Sequence, residues 1–329
     1  MTQDMIIGVD VGGTQLRAVL ADSAGKIQKR IAVPTNSFEG RDAVLNRIRQ
    51  LIRDVCKTCE WDQIRGIGIG VPGPTDPFAG LVIIAPNIPG WLNVDLLGEL
   101  TPFFDCPIYV GNDANLAGLA EHRFGAGQGV AHMIYLTVST GVGGGIIVDN
   151  RMLLGQRGFG AEVGHMTIEA RHAPNAEGIL GTLEDLAAGP GIARRAKAAL
   201  RKGATSSLLS TVNGDIDAIT PKMITEAAHA GDPFAIEHFR QTGYYLGVGI
   251  TNLLHIFNPE RIVIGGSVWL NAGGLLAVPV WDTIRSRAKS PEYYQKLEIV
   301  SAALGDDAGL LGAVALAQSE LEQSQIAGN

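Results

Sequence analysis

Two glycine turns, each set between apolar, β-branched runs, constrain this chain more than any other feature. Ile6–Val11 leads into Gly12-Gly13-Thr14, and Leu16–Leu20 leaves it. Met133–Val138 leads into Gly141–Gly145, and Ile146–Val148 leaves that turn. Strand–turn–strand hairpins of this kind present bare backbone N–H groups where an anion can approach without meeting a Cβ. Asn112-Asp113 lies between the two, at the end of a further apolar run, Ile108–Val110. Two such hairpins with a carboxylate between them point to phosphoryl transfer.

The surrounding pattern is mixed α/β. Strands are predicted at Ile6–Val11, Leu16–Ala21, Ile27–Pro34, Ile64–Val71 and Ile108–Val110, with Asp22-Ser23-Ala24-Gly25 as a hairpin turn. Helices are predicted over Arg41–Cys59 and from Asn112-Asp113 to about Phe124. Met133–Val138, Ile146–Val148 and Met152–Leu154 then repeat the opening strands, so a duplication is read. The rest is mostly helical: Pro190–Arg201, a segment opened by Thr220-Pro221, another from Asp232-Pro233 to Phe257, and Leu311–Ser324. A strand at Arg261–Ile264 ends in Gly265-Gly266-Ser267. Ser206–Ser210 reads as a loose surface loop. The division expected is a small α/β domain over 1–115, with a C-terminal helix at 306–329 packing back on it, and a larger α/β domain over 116–305.

Composition narrows the function. The 329 residues suffice for two cores, and a formal net charge of −7 opposes non-specific nucleic-acid binding. Forty-three glycines gathered in turns suit a ligand-cradling enzyme. Cys56-Lys57-Thr58-Cys59 is formally a CxxC, but with only Cys106 besides it reads as buried or incidental thiols. No signal peptide precedes the first strand, and the apolar stretch Leu246–Phe257 is too short to span a bilayer, so a cytoplasmic protein is expected. There is no GxxxxGK[ST], and the glycines of Gly66–Gly73 are a weak match to a dinucleotide fingerprint.

Five motifs occur in order: Val9-Asp10-Val11-Gly12-Gly13-Thr14, Val71-Pro72-Gly73-Pro74, Asn112-Asp113-Ala114-Asn115, Ser139-Thr140-Gly141-Val142-Gly143-Gly144-Gly145 and Glu162-Val163-Gly164-His165. Over nearly its whole length the chain resembles the ROK family of repressors, open reading frames and sugar kinases. The resemblance implies a two-lobed, actin-like (ribonuclease H-like) ATPase fold, and ATP-dependent phosphorylation of a hexose by a homodimer. Two departures stand out. Gln15 follows Gly-Gly-Thr where the family commonly has lysine. The family's cysteine-rich zinc motif, aligned on Gly178, Gly181 and Glu184, has Asn175, Glu177 and Thr182 in its three cysteine positions. No zinc site is expected.

The resemblance assigns roles. Asp113 would be the general base toward a sugar hydroxyl; the residue pattern alone weighs that role evenly against Asn112 or Asp113 simply N-capping the following helix. Asp10 would hold Mg²⁺, directly or through water, against ATP; the plainer reading is a turn aspartate. Gly12, Gly13, Thr14 and Arg17, with Thr140, Gly141 and Gly143, would receive phosphates, and Gly265 and Gly266 the adenine or ribose. Glu162, His165 and Glu184, joined by Gly73, Asn87 and Asn112, would bind sugar hydroxyls. Trp91 reads as a core or hinge aromatic. Glucose leads as substrate, with another hexose, an N-acetylhexosamine, polyphosphate as donor, or a non-catalytic sugar sensor as alternatives. For a family repressor, the first motif begins too early to leave room for a helix-turn-helix.

Overall fold

The structure is a computed structural model describing residues 4–57, 59–170 and 181–327. Its elements run β1 (Met5–Val11), β2 (Gln15–Asp22), β3 (Ile27–Pro34), α1 (Arg41–Val55), β4 (Ile64–Val71), β5 (Thr75–Asp76), β6 (Leu81–Ile84), β7 (Leu92–Asp95), α2 (Leu96–Leu100), β8 (Ile108–Asn112) and α3 (Asp113–Phe124). There follow β9 (Met133–Val138), β10 (Val142–Val148), β11 (Arg151–Met152), α4 (Leu183–Ala187), α5 (Gly189–Arg201), α6 (Leu208–Thr211) and α7 (Pro221–His229). The chain ends with α8 (Pro233–Phe257), β12 (Arg261–Gly265), α9 (Ser267–Arg287), β13 (Glu298–Ser301) and α10 (Ala308–Ala327). None of these helices is long and apolar enough to cross a membrane.

The duplication is visible in strand order. One five-stranded sheet runs β3-β2-β1-β4-β8 and another β11-β10-β9-β12-β13. Each places its opening hairpin on one side and its later strands on the other. Three short strands, β5-β6-β7, form a separate sheet. By packing, Met1–Tyr135, Gly145–Ala161 and Ala302–Asn329 form one compact unit, and Leu136–Gly144 with Glu162–Ser301 form a second.

In the first unit β1 is buried on both faces, as a central strand between helices must be. Ile7, Val9 and Val11 share a cluster with Val44, Leu45, Ile48 and Ile52 of α1, while Ile6 joins Leu310, Val314 and Ala317 of α10. The spacing Gly66-x-Gly68-x-Gly70 in β4 belongs to this packing. A Cβ on Gly68 would fall 1.8 Å from the Ala313 carbonyl oxygen of α10, so only glycine lets that helix lie so close. In the second unit, Gly243 and Gly247 of α8 let α9 approach at Pro279 and Thr283.

Several expectations are corrected. Gly143–Gly145 are not a turn: β10 already begins at Val142, and Gly145 is bare because Asn115 O and Gly118 Cα lie 3.1 and 3.2 Å from where its Cβ would be. The helix expected to reach Cys59 stops at Val55, and the third strand of the repeat is only Arg151–Met152. The serine-rich stretch is anchored. Ser206 and Ser207 bond to Asp232, and Leu208–Thr211 is helical. Trp91 is a core residue. Cys56, Cys59 and Cys106 are free thiols, with burial pushing Cys56 up most and Cys106 up to about 11.

Candidate active site

In the first unit the candidate residues gather at the C-terminal ends of adjacent parallel strands. Asp10 of β1 pairs in register with Gly70 of β4, Gly70 with Gly111 of β8, and Val71 with Asn112. In sheets of this kind that edge is where ligands bind, because strand ends and helix N-termini leave backbone groups open there. The Gly12–Thr14 turn is closed by Gly12 N–H donating to Gln15 O at 2.9 Å, and Thr35 braces it by donating through Oγ1 to Gly12 O at 2.6 Å. Asn87 lies against this turn: a Cβ on Gly13 would be 2.7 Å from Asn87 Cβ.

Asp10 is 9% exposed and faces Arg17 across the hairpin. Arg17 donates through Nε and Nη2 to Asp10 Oδ2, at 2.9 and 2.5 Å, and through Nη1 to Asp306 O at 3.1 Å. Arg17, expected to meet phosphate, is thus first of all the partner of Asp10.

Asn112 is the N-cap of α3. Its Oδ1 accepts from Ala114 N and Asn115 N at 3.0 and 3.1 Å, and its Nδ2 donates to Gly73 O at 3.1 Å. One amide therefore ties the Val71–Pro74 turn to the start of the helix. Asp113 follows in the first helical turn, partly exposed, with Oδ1 accepting from Ala114 N at 2.7 Å. With Asn112 supplying the cap, Asp113 is held at the rim of the strand edge, where the helix N-terminus favours negative charge.

In the second unit, the other glycine turn is the meeting point of four segments. Ser139 N–H donates to Gly141 O, and Gly189 N–H at the start of α5 donates to Ser139 O, both at 2.8 Å. Ser139 Oγ also lies 2.9 Å from Ser267 Oγ, at the start of α9. Gly266, at φ +85°, brings that helix start against β9: its Cβ would sit 2.4 Å from Val138 O. Val142 N–H donates to Glu184 Oε2 at 2.9 Å. Gly164 packs on the same residue, since a Cβ there would fall 1.9 Å from Val142 O. Glu162 and His165 flank this contact, with His165 Nε2 3.9 Å from Glu162 Oε2 and both side chains open to solvent. Thr140 is exposed at the tip of the turn, and Gly143 lies one residue inside β10. Two helix N-termini converging on a glycine turn make a ready anion site.

Glu184 is set by its helix. Thr182 caps α4 in a reciprocal box with Asp185, while Arg194 donates to Asp185 O at 2.5 Å and Arg195 to Leu186 O. Arg195 also bonds Thr242 and stacks over Tyr245; burial lowers its guanidinium to about 10. Of the three zinc-motif positions, Asn175 and Glu177 lie outside the described residues, whereas Thr182 serves as this cap. Among the described residues no three His, Cys, Asp or Glu side chains are grouped to hold a metal. Residue reasoning missed Ser139, Ser267 and Thr35; only the hydroxyls adjoining glycine turns could have signalled the first two.

The ROK family model matches residues 6–320. The chain is 34% identical to the glucokinase of Thermotoga maritima over 316 residues, covering 96% of this chain and 98% of that one. Among solved structures it resembles a ROK hexokinase from Thermus thermophilus at a TM-score of 0.82 and 32% identity, covering 97% and 99% of the two chains. It also resembles a ROK glucokinase from Streptomyces griseus, solved with glucose and AMPPNP, at a TM-score of 0.75 and 33% identity over 96% and 99%. With its duplicated sheets and its five motifs in order, the chain belongs to the ROK family and has the actin-like ATPase fold.

Proposed function

We propose that this protein is a sugar kinase transferring the γ-phosphate of ATP to the 6-hydroxyl of a hexose, with glucose as the leading substrate. The observation that carries this reading is the row of Asp10, Gly73, Asn112 and Asp113 along the ends of β1, β4 and β8. Asp113 at the rim is the general base. It accepts the proton of the sugar hydroxyl as the oxygen bonds to phosphorus, while Asn112 and Gly73 fix the strand edge that carries it. Glu162, His165 and Glu184, with Asn87, are assigned to sugar hydroxyls. The turns at Gly12–Thr14 and Thr140–Gly143 are assigned to the phosphates, and Gly265-Gly266 to the nucleoside. The glucokinase and hexokinase relatives support the sugar-kinase reading.

A magnesium ion fits the donor set at Asp10. Asp10 is the carboxylate at the strand end; its Oδ2 is committed to Arg17, so it would hold the ion through Oδ1, directly or through water. Bound there, the ion would supply positive charge to offset the charge of the nucleotide's phosphates. The cytoplasm and a homodimer complete the proposal, the latter checked by sedimentation.

The test is an ADP-release assay with magnesium and ATP against glucose, fructose, mannose, allose and N-acetylhexosamines, repeated with polyphosphate as donor. Turnover of glucose above the other sugars supports the reading. Absence of turnover for every sugar, in protein shown to bind ATP, would replace it with a sensor.

A further inference from the structure

A cavity of about 360 Å³ lies in the first unit beside β8, which ends its sheet and so has an unpaired side. Neither Asp10, Asn87 nor Asp113 lines it. Its walls are mostly apolar, formed by Val110 of β8, Met152 and Leu154 after β10, and Leu316 of α10. The volume falls at the lower end of the range for small-molecule sites.

The polar groups on the wall are few and of one sign. Glu320 of α10 and Tyr109 of β8 both line the cavity, and no Lys, Arg or His does. Glu320 has no cationic partner among the described residues, and burial raises its carboxyl above the ordinary range. Tyr109 is close enough to feel that carboxylate. Asn115, 4% exposed, also lines the cavity, and its Oδ1 makes no hydrogen bond among the described residues. Phe78, 65% exposed, stands at the wall as a second aromatic face. A half-buried carboxylate without a counter-ion, beside aromatic rings and an apolar pocket, is complementary to a cation carried on an apolar body. An anionic or purely hydrocarbon occupant would leave that carboxylate uncompensated.

We propose that this cavity binds a small organic amine, with its ammonium group against Glu320 and Tyr109 and its apolar body against Val110, Met152 and Leu316. The site stands apart from the assignment of kinase activity, since it uses none of the residues given catalytic roles. Gly111 and Asn112 at its upper end are shared with the strand edge.

Phenethylamine, 2-phenylethanol and phenylacetate are the probes, titrated into the full chain by calorimetry. Saturable binding of the amine, about tenfold tighter than the alcohol, with no binding of the acid, is the expected result for one compensated carboxylate. Glu320→Gln removes the charge at a position outside the core and should erase the tenfold preference, leaving the alcohol unchanged. Met152→Trp, from a partly exposed position, should fill the cavity and abolish binding of both, with thermal unfolding as the check on folding. Failure of the amine to saturate, equal affinity for amine and alcohol, or an unaltered preference in Glu320→Gln would each overturn the proposal. ADP release measured on the same samples keeps this result separate from the kinase reading.

Discussion

Glu184 Oε2 accepts the backbone N–H of Val142 at 2.9 Å, joining a side chain assigned to sugar to the turn assigned to phosphate. The carboxylate is close enough to the turn that a Cβ on Gly141 would lie 2.5 Å from the same oxygen. Three changes separate the roles. Glu184→Ala leaves a buried N–H without an acceptor and should cost about 1–3 kcal/mol of stability. Glu184→Gln keeps an acceptor oxygen, so it should retain most of that stability while raising the KM for sugar. Gly141→Ala forces the carboxylate aside and should raise the KM for ATP as well. Denaturant melts and steady-state kinetics on the three variants check this ordering; equal loss of stability in Ala and Gln variants would refute it.

Asp113→Asn tests the base. The substitution keeps the size of the side chain and leaves Asn112 as the cap, so folding should be preserved. The kcat should fall by ~10²–10⁴, the range typical for loss of a positioned base, with sugar affinity nearly unchanged. Full activity in this variant would remove Asp113 from the mechanism.

Arg17 and Asp10 form a pair whose removal should be asymmetric. Asp10 is 9% exposed, and Arg17→Ala leaves that carboxylate without its two charge-assisted hydrogen bonds. A loss of about 1–3 kcal/mol is expected, partly recovered in the double variant Arg17→Ala/Asp10→Asn. The comparison by chemical denaturation distinguishes a clamp on Asp10 from a residue that meets only phosphate, whose loss would spare stability.

Much of this was legible in the residues. The glycine turns between β-branched runs announced both opening hairpins, and a cap at Asn112 or Asp113 was legible because capping is a local property; the structure gives it to Asn112. What escaped depends on partners far along the chain. The alternating glycines of β4 look like a weak dinucleotide fingerprint until α10, more than two hundred residues later, is seen to need their bare surface. Gly145 looked like a turn residue because its reason, the proximity of Gly118, is tertiary. The Val142–Glu184 bond spans 42 positions and has no sequence signal at all. Asp10 and Arg17 were closer to view: seven residues apart across a hairpin turn, they are the register partners that antiparallel pairing demands.

Removal of zinc should be without effect. Thr182, where the resemblance puts a cysteine, caps α4 through its hydroxyl and so gives the helix of Glu184 a start that needs no metal. Protein treated with a chelator, dialysed and given magnesium alone should show the same kcat and melting temperature as untreated protein. Recovery that required added zinc would overturn this.

Asp232 sets an acid limit on the second unit. Its Oδ1 accepts from Phe234 N and Ala235 N at the start of α8, and its Oδ2 from Ser206 Oγ, Ser207 N and Ser207 Oγ. Burial alone would raise this carboxyl, but the serine and backbone hydrogen bonds outweigh it and bring it from 3.8 down to about 2. A carboxylate lowered in the folded state stabilises fully above its unfolded value, and that contribution is lost as pH falls from about 4 toward 2. The shift corresponds to about 2 kcal/mol. Asn at this position turns one acceptor into an N–H₂ donor facing either three serine donors or two helix N–H groups, so Asp232→Asn should lose about that amount at pH 7. Its stability should then fall less steeply than the wild type's between pH 4 and 2. Parallel pH profiles in the two proteins would show that the acid sensitivity of the fold resides elsewhere.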